Sequence, residues 1–245
     1  MTPTARLTWL GHSTVVLELD GARIVTDPLL SRRVAHLWRS LPVPELEAPD
    51  VVIVSHLHWD HLHVPSLRRL AAGAVLVVPT GSGRLVARLG FARVIQVARG
   101  DSIRIGEIRI DVTHAEHPSS RRSRARSDAV GYMLRGSRRV YFPGDTDLFD
   151  GMGELGDGLD LALVPVAGWG RKAAEGHLDP RKAVQALELL QPRNAVPIHW
   201  GTFAPFGLRV LGGSDTAAED FREEAARRVP GVTVHVLQVG GSLVL

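Results

Sequence analysis

The chain has 245 residues, 44% apolar and 22% charged, the make-up of an ordinary globular protein able to bury a substantial core. It has no cysteine, which excludes disulfides, thiolate metal sites, iron–sulfur clusters and cysteine nucleophiles and leaves imidazole and carboxylate as metal ligands. The net charge is only +3 although the pI is 9.9, so the basic character comes from arginine, clustered at Arg121–Arg126 and Arg135–Arg139.

Those clusters read as solvated loops or as an anion-attracting rim beside an active site. No aromatic residues interleave them, which argues against a nucleic-acid partner. No apolar run approaches the roughly 20 residues that span a bilayer. The N-terminal stretch MTPTARLTWLGHS lacks the pattern of a signal peptide, so a cytoplasmic location is expected.

In chain order, RLTWLGH and TVVLELD read as strands, and Asp20-Gly21 as a hairpin turn before ARIVTD. Residues 28–49 hold four prolines and little periodicity, so a surface connecting loop is expected. DVVIVS is a short, continuously apolar strand of the kind buried on both faces. A helix follows from Pro65 to Ala72, then the strand AVLVVP and a short helix in GSGRLVARLG. RVIQV, SIRI, IRIDVTHA, AVGYMLR, RVYFPGD and LDLALVPV are strands in succession. DPRKAVQALELLQP reads as a helix with Asp179 as N-cap and Pro180 at its first position. NAVPIHW is a strand, TAAEDFREEAARRV a helix with a Thr216/Glu219 capping box, and VTVHVLQVGGSLVL a closing strand. This order predicts two packed sheets with helices outside, in one domain spanning residues 1–245.

The chemistry concentrates in SHLHWDHLH, Ser55 to His63. Just after a strand the chain is still extended, so His56 and His58 point the same way. A following turn returns Asp60 and His61 toward the same point; a helical reading, with 56/60 and 58/61 spacing, competes. Four such ligands around one ion would make a closed, structural site, whereas hydrolysis needs an open position. Further donors stand at other strand ends: His114 and His117, Asp145, His199, His12 and His177. That number fits two ions, with Asp145 suited to bridge them, and two ions about 3.5–4 Å apart can clamp both attacking and leaving oxygens.

SHLHWDHLH, with the later FPGDTD and VPIHWGTF, resembles the metallo-β-lactamase superfamily. WLGHSTVVLELDGARIVTDPL and HLDPRKAVQALELLQPRNAVPIHWGTF are similar to the branch holding ascorbate-6-phosphate lactonase and the phospholipase D that cleaves N-acylphosphatidylethanolamine. The resemblance implies a four-layer αββα sandwich of two mixed sheets with a dinuclear site at one edge. It implies His56, His58 and His117 on one ion, Asp60, His61 and His199 on the other, and Asp145 between. AEHPSSR matches the branch's pattern around His117, which favours it over His114. His12 and Asp27 are expected to support the ligands or meet substrate, Asp60 and His177 to take part in catalysis, and Arg121 to meet a phosphate. The branch often has aspartate where His63 stands. His36, His235, Trp59 and Trp200 read as structural or packing residues.

The implied activity is hydrolysis by a hydroxide held between two metal ions, zinc in first place and Mn²⁺ or Fe as alternatives. A bridging aspartate argues against β-lactam hydrolysis, and the short chain against the superfamily's nuclease and flavodiiron branches. A phosphodiester or a lactone-type ester in a phosphate-bearing small molecule is the expected substrate. The competing expectation is a metal-binding protein that keeps the fold without catalysis.

Overall fold

The structure is a computed structural model and describes residues 5–118, 127–168, 175–205 and 216–245. The N-terminal hairpin forms as the alternation predicts. β1 (Arg6–Gly11) and β2 (Thr14–Leu19) pair antiparallel, and Asp20-Gly21, both at positive φ, turn the chain into β3 (Ala22–Thr26). Two short strands, β4 (Arg33–Val34) and β5 (Leu37–Arg39), come next. β6 (Val51–Ile53), β7 (Val75–Pro79) and β8 (Arg93–Val97) then add in parallel beside β3.

The second sheet starts antiparallel, with β9 (Ser102–Ile105), β10 (Ile108–His114), β11 (Val130–Arg135) and β12 (Arg139–Phe142). β13 (Leu161–Pro165) and β14 (Asn194–Ile198) extend it in parallel. β15 (Phe203–Pro205) pairs with β5 in a small separate sheet. β16 (Thr233–Val234) closes the second sheet beside β14, and β17 (Ser242–Val244) returns to β1. Each large sheet therefore runs through three antiparallel pairings and then three parallel ones. The loops leaving β3, β6, β12 and β14 carry Asp27, His56, Asp145 and His199.

Alternation of side chains sorts the apolar residues into layers. Val51 and Ile53 of β6 join Leu17, Ile110, Tyr132 and Phe142 between the two sheets. Val52 and Val54 face the other way, against Leu67 and Leu70 of α1 (Val64–Leu70) and Val86 of α2 (Gly83–Val86). On the far side, Met133 and Tyr141 are covered by Val184 and Leu187 of α3 (Pro180–Leu190) and Phe221 of α4 (Ala217–Arg228). The result is the αββα order. Asp179 caps α3 through a bond from the Lys182 amide, and Pro180 occupies the first turn, as its sequence predicts.

Four expectations are corrected. Residues 28–49 are not a bare surface loop: Leu29, Leu30, Val34 and Leu37 are buried, and two strands form there. The second helix is a single turn ending at Val86. Thr216 makes no capping bond; its hydroxyl donates to the Asp220 carboxylate instead of to an open amide. The C-terminal stretch is two short strands on different sheets, because Gly240 at φ +86 and Gly241 break the run and send the chain across.

Candidate metal centre

After β6 the chain stays extended through Ser55 and His56 and then turns. The His61 and Leu62 amides both reach the His58 carbonyl, at 3.0 and 2.8 Å. The extended-then-turned reading of HLHWDH is the observed one. Two groups of donors result, each able to converge on one ion: His56, His58 and His117, and Asp60, His61, His199 and His12.

In the first group, Nε2 of His56 and Nε2 of His117 lie 2.9 and 3.0 Å from Nδ1 of His58. Hydrogen bonding fixes two of the tautomers. His117 Nδ1 donates to the Gly176 carbonyl at 2.7 Å. Ser55 Oγ donates to Asp27, so it accepts from His56 Nδ1 at 3.0 Å. Both inward Nε2 atoms of these imidazoles, when neutral, therefore carry lone pairs. His58 Nδ1 has at most one proton to offer to two lone pairs, an arrangement that suits a cation.

In the second group, Asp60 Oδ2 lies 3.0 Å from His12 Nε2, 3.5 Å from His61 Nε2 and 3.8 Å from His199 Nε2. Asp145 stands between the groups. Its Oδ2 is 3.2 Å from His61 Nε2, 3.2 Å from His177 Nε2 and 3.9 Å from His56 Nε2, and its Oδ1 is 3.3 Å from His199 Nε2. His61 Nε2 and Asp145 Oδ1 are buried without a partner in hydrogen-bond geometry. Buried polar atoms are seldom left so unless an ion or water completes them. The donor set, imidazole and carboxylate, fits a divalent cation.

Burial sets the protonation of the first group. It pushes His56 well below its ordinary 6.5 and His117 down to about 4, with neighbouring imidazoles adding to the effect. In the second group burial opposes charge as well, but carboxylates win. Asp145, Asp60 and Asp27 hold His61 well above 6.5, and Asp145 and Asp60 hold His199 at about 9. Against burial, the same imidazoles keep Asp60 and Asp145 well below the carboxylate range. His12 is driven to about 3 by burial and by His199. Protons on His61 and His199 thus balance the two carboxylates where a metal would compete for the same nitrogens.

The surrounding bonds hold these groups still. Asp27, fully buried, accepts from the Ser55 amide at 2.7 Å, Ser55 Oγ at 2.5 Å and His61 Nδ1 at 2.6 Å. The His12 carbonyl accepts from the His199 amide and from Trp9 Nε1, both at 2.9 Å, while Thr202 Oγ1 accepts from the His12 amide at 2.6 Å. His12, Asp27 and His199 all adopt positive φ (53°, 32° and 63°), a costly conformation for these residues that the network maintains. Gly144, at φ +65, lets the Asp145 loop pass Ser55 where a Cβ would collide with its side chain.

The cluster thus contains His56, His58, Asp60, His61, His117, Asp145, His199, His12, Asp27 and His177. His114 is elsewhere: its ring packs edge-on against Phe149 and bonds Glu116 at 3.2 Å. Arg121 and the rest of its cluster lie outside the described residues. His63 has a structural task. It caps α1, its Nδ1 accepting from the Ser66 amide and lying 2.7 Å from Ser66 Oγ. An aspartate there, as in the resembling branch, would do the same. Ser55, Thr202 and Gly176 went unread in the sequence. Ser55 directly precedes the motif at a buried strand end and Gly176 precedes His177; those positions were the available signals.

A family model described as a β-lactamase superfamily domain matches residues 22–200. A metal-dependent hydrolase of Methanopyrus kandleri is 30% identical over 244 residues, covering 97% of this chain and 98% of that protein. An N-acyl-phosphatidylethanolamine-hydrolyzing phospholipase D of Caenorhabditis elegans is 31% identical over 232 residues, covering 82% of this chain and 64% of that protein. In fold the chain is similar to Igni18, a metallo hydrolase of Ignicoccus hospitalis, with a TM-score of 0.75 at 24% identity over 99% of this chain and 98% of that one. The histidine–aspartate cluster lies within the matched residues, and the chain belongs to the metallo-β-lactamase superfamily of metal-dependent hydrolases.

Proposed function

We propose that this chain is a dinuclear metal-dependent hydrolase acting on a phosphodiester or lactone-type ester in a phosphate-bearing small molecule. The observation that carries the reading is Asp145, whose carboxylate faces His61 and His199 of one group and His56 of the other. His56, His58 and His117 would hold one ion and Asp60, His61 and His199 the second, with Asp145 shared. Zinc suits this donor set best, with Mn²⁺ or Fe as alternatives. When bound, two such ions supply electrophilic catalysis and a hydroxide nucleophile at neutral pH.

The chain's own groups do the rest. Asp60 is aimed by His12, and His61 by Asp27, so the inward atoms of both are fixed before substrate arrives. His177 Nε2 sits 3.2 Å from Asp145 Oδ2, and its side chain is 12% exposed. It is therefore both near the centre and partly open to solvent. There it can hydrogen-bond a phosphate oxygen or hand a proton to the leaving group. The likeness to the C. elegans phospholipase D supports a phosphodiester.

The test is metal analysis of the purified protein with a panel of chromogenic phosphodiesters, lactones and thioesters. Two metal equivalents with turnover that Asp145→Asn abolishes are expected. Two equivalents with no turnover on the whole panel would instead favour a non-catalytic metal-binding protein.

A further inference from the structure

Arg39, on β5, has no carboxylate within ion-pair distance among the described residues. Its Nη1 donates to the Leu10 carbonyl at 2.8 Å and its Nη2 to the Leu29 carbonyl at 2.6 Å. Its guanidinium lies 5.2 Å over the Phe203 ring, and Nε is buried without a partner. Burial lowers it to about 10, so the charge persists at neutral pH. A partly buried cation that faces only carbonyls and a ring is costly compared with an apolar side chain of the same volume.

Its contacts fall on particular segments. Leu10 is two residues before His12, Leu29 two after Asp27, and Phe203 four after His199. Gly11, at φ +102, has no room for a Cβ, which would lie 2.9 Å from Arg39 Nη1 and 2.8 Å from Thr202 Cγ2. The Ser40 amide donates to the Thr202 carbonyl at 2.9 Å, and Thr202 Oγ1 takes the His12 amide. Arg39's side-chain hydrogen bonds end on the backbone of two segments and its ring contact falls on a third, so what it sets is the spacing of these segments. The residues next to them hold His12 against Asp60, Asp27 against His61, and His199 itself. The His56, His58 and His117 group reaches them indirectly, through Ser55 and Asp27 and through the shared Asp145.

We infer that Arg39 is a positioning residue for the Asp60, His61 and His199 half of the centre, acting by clamping the Leu10, Leu29 and Phe203 segments together. The inference rests on the dinuclear reading proposed above.

The test separates the two halves. In metal-stripped protein, His58→Ala leaves the Asp60 half as the competent one, and His199→Ala leaves the His56 half. Zn²⁺ affinity is measured for each, with and without Arg39→Met, by competition against a chromogenic chelator. Arg39→Met is expected to weaken Zn²⁺ about 10–100-fold in the His58→Ala background, the range found when residues supporting metal ligands are removed. It is expected to leave the His199→Ala background unchanged. Equal loss in both backgrounds, or loss in neither, overturns the assignment. If Arg39→Met gives no cooperative melt, Arg39→Lys, which keeps the charge but not the two-carbonyl fork, is read by the same criteria. Wild-type protein that binds fewer than two equivalents overturns the dinuclear reading, and this assignment with it.

Discussion

Asp27→Asn isolates one physical question: whether the fully buried Asp27 carboxylate sets the tautomer of His61. Asparagine has nearly the same shape and tolerates the φ of +32° found there, so the backbone need not move. Asp27 now accepts three bonds, of 2.5 to 2.7 Å. The Asn carbonyl can keep the Ser55 amide, but its NH₂ then faces two donors, Ser55 Oγ–H and His61 Nδ1–H. Each bond to a charged acceptor is worth roughly 1.5–3 kcal/mol, and leaving both unmade would cost about 3–6 kcal/mol. With one of the three carboxylates that hold it charged neutralised, His61 has an escape: it gives up the Nδ1 proton and keeps the one on Nε2, so that Nδ1 accepts from the new amide. That recovers about half of the loss and leaves no lone pair on the atom aimed at Asp145 and Asp60. The expected outcome is a stability loss of about 2–3 kcal/mol in urea melts of the metal-stripped protein, with Zn²⁺ affinity down about 10–100-fold. Long-range ¹⁵N spectra of His61 report the tautomer directly. Undiminished Zn²⁺ affinity with an unchanged His61 spectrum would refute the reasoning.

His63→Asp replaces a weak cap on α1 by a strong one and should raise stability by about 0.5–1 kcal/mol in a urea melt with Zn²⁺ binding unaltered. Gly144→Ala places a methyl on the Ser55 side chain at φ +65 and should cost about 2 kcal/mol or more, visible as a lower Tm together with lost metal. Asp111 joins Arg109 and Arg135, two members of a row of arginines (104, 109, 135 and 139) directly opposite one another on four strands. Burial works against its charge, but bonds from Ser102, Arg109 and Arg135 hold its carboxyl below the ordinary 3.8. Its contribution is therefore full above pH 3.8 and lost as pH falls through the lower folded value; Asp111→Asn should cost about 1 kcal/mol at pH 7 and nothing in strong acid. Chelating the metal should lower the Tm, because an ion at 100 times its Kd stabilises the folded state by about 2.7 kcal/mol; a melt indifferent to chelator would count against any bound ion.

Strands and donors were legible in the sequence where local physics decides them. VVIV reads as buried on both faces and is so, and of the two readings of HLHWDH, an extended chain entering a turn is the one that brings its donors together. Residues 28–49 were not legible because their order is imposed from outside. The Leu29 and Leu30 amides are taken by Thr14 and Ser66, and their carbonyls by Arg39 and Arg69, side chains from three segments, β2, β5 and α1. No local pattern encodes such partners. The Thr216 cap failed for the converse reason. The sequence pattern is correct, but Thr216 sits at φ −86°, ψ −15°, already helical, which turns its hydroxyl toward Asp220 and away from the open amides. The capping task of His63 was not legible, because proximity in sequence to ligands says nothing about which way a side chain leaves the turn.

The two large sheets explain why the donors meet where they do. Both pass from antiparallel to parallel pairing at their third strand pairing along the sheet, and at that point each places an aspartate: Asp27 after β3 and Asp145 after β12. Each also sends a histidine from the turn or loop between two antiparallel strands, His12 and His117. Opposed across the core, these strand ends bring equivalent groups together, and sequence differences give them different work. Asp27 is enclosed by Ser55 and His61 and is spent on orientation, whereas Gly144 lets Asp145 reach the centre of the cluster. Each donor group draws on both sheets, His56 and His58 with His117, and Asp60 and His61 with His199. The site therefore exists only while the sheets are docked in register, which Tyr132 Oη on the Val54 carbonyl (2.7 Å) and the Val130 amide on the Ser55 carbonyl (3.0 Å) enforce beside it. A metal held by both groups would tighten that same seam, so affinity and fold stability are two measurements of one set of contacts.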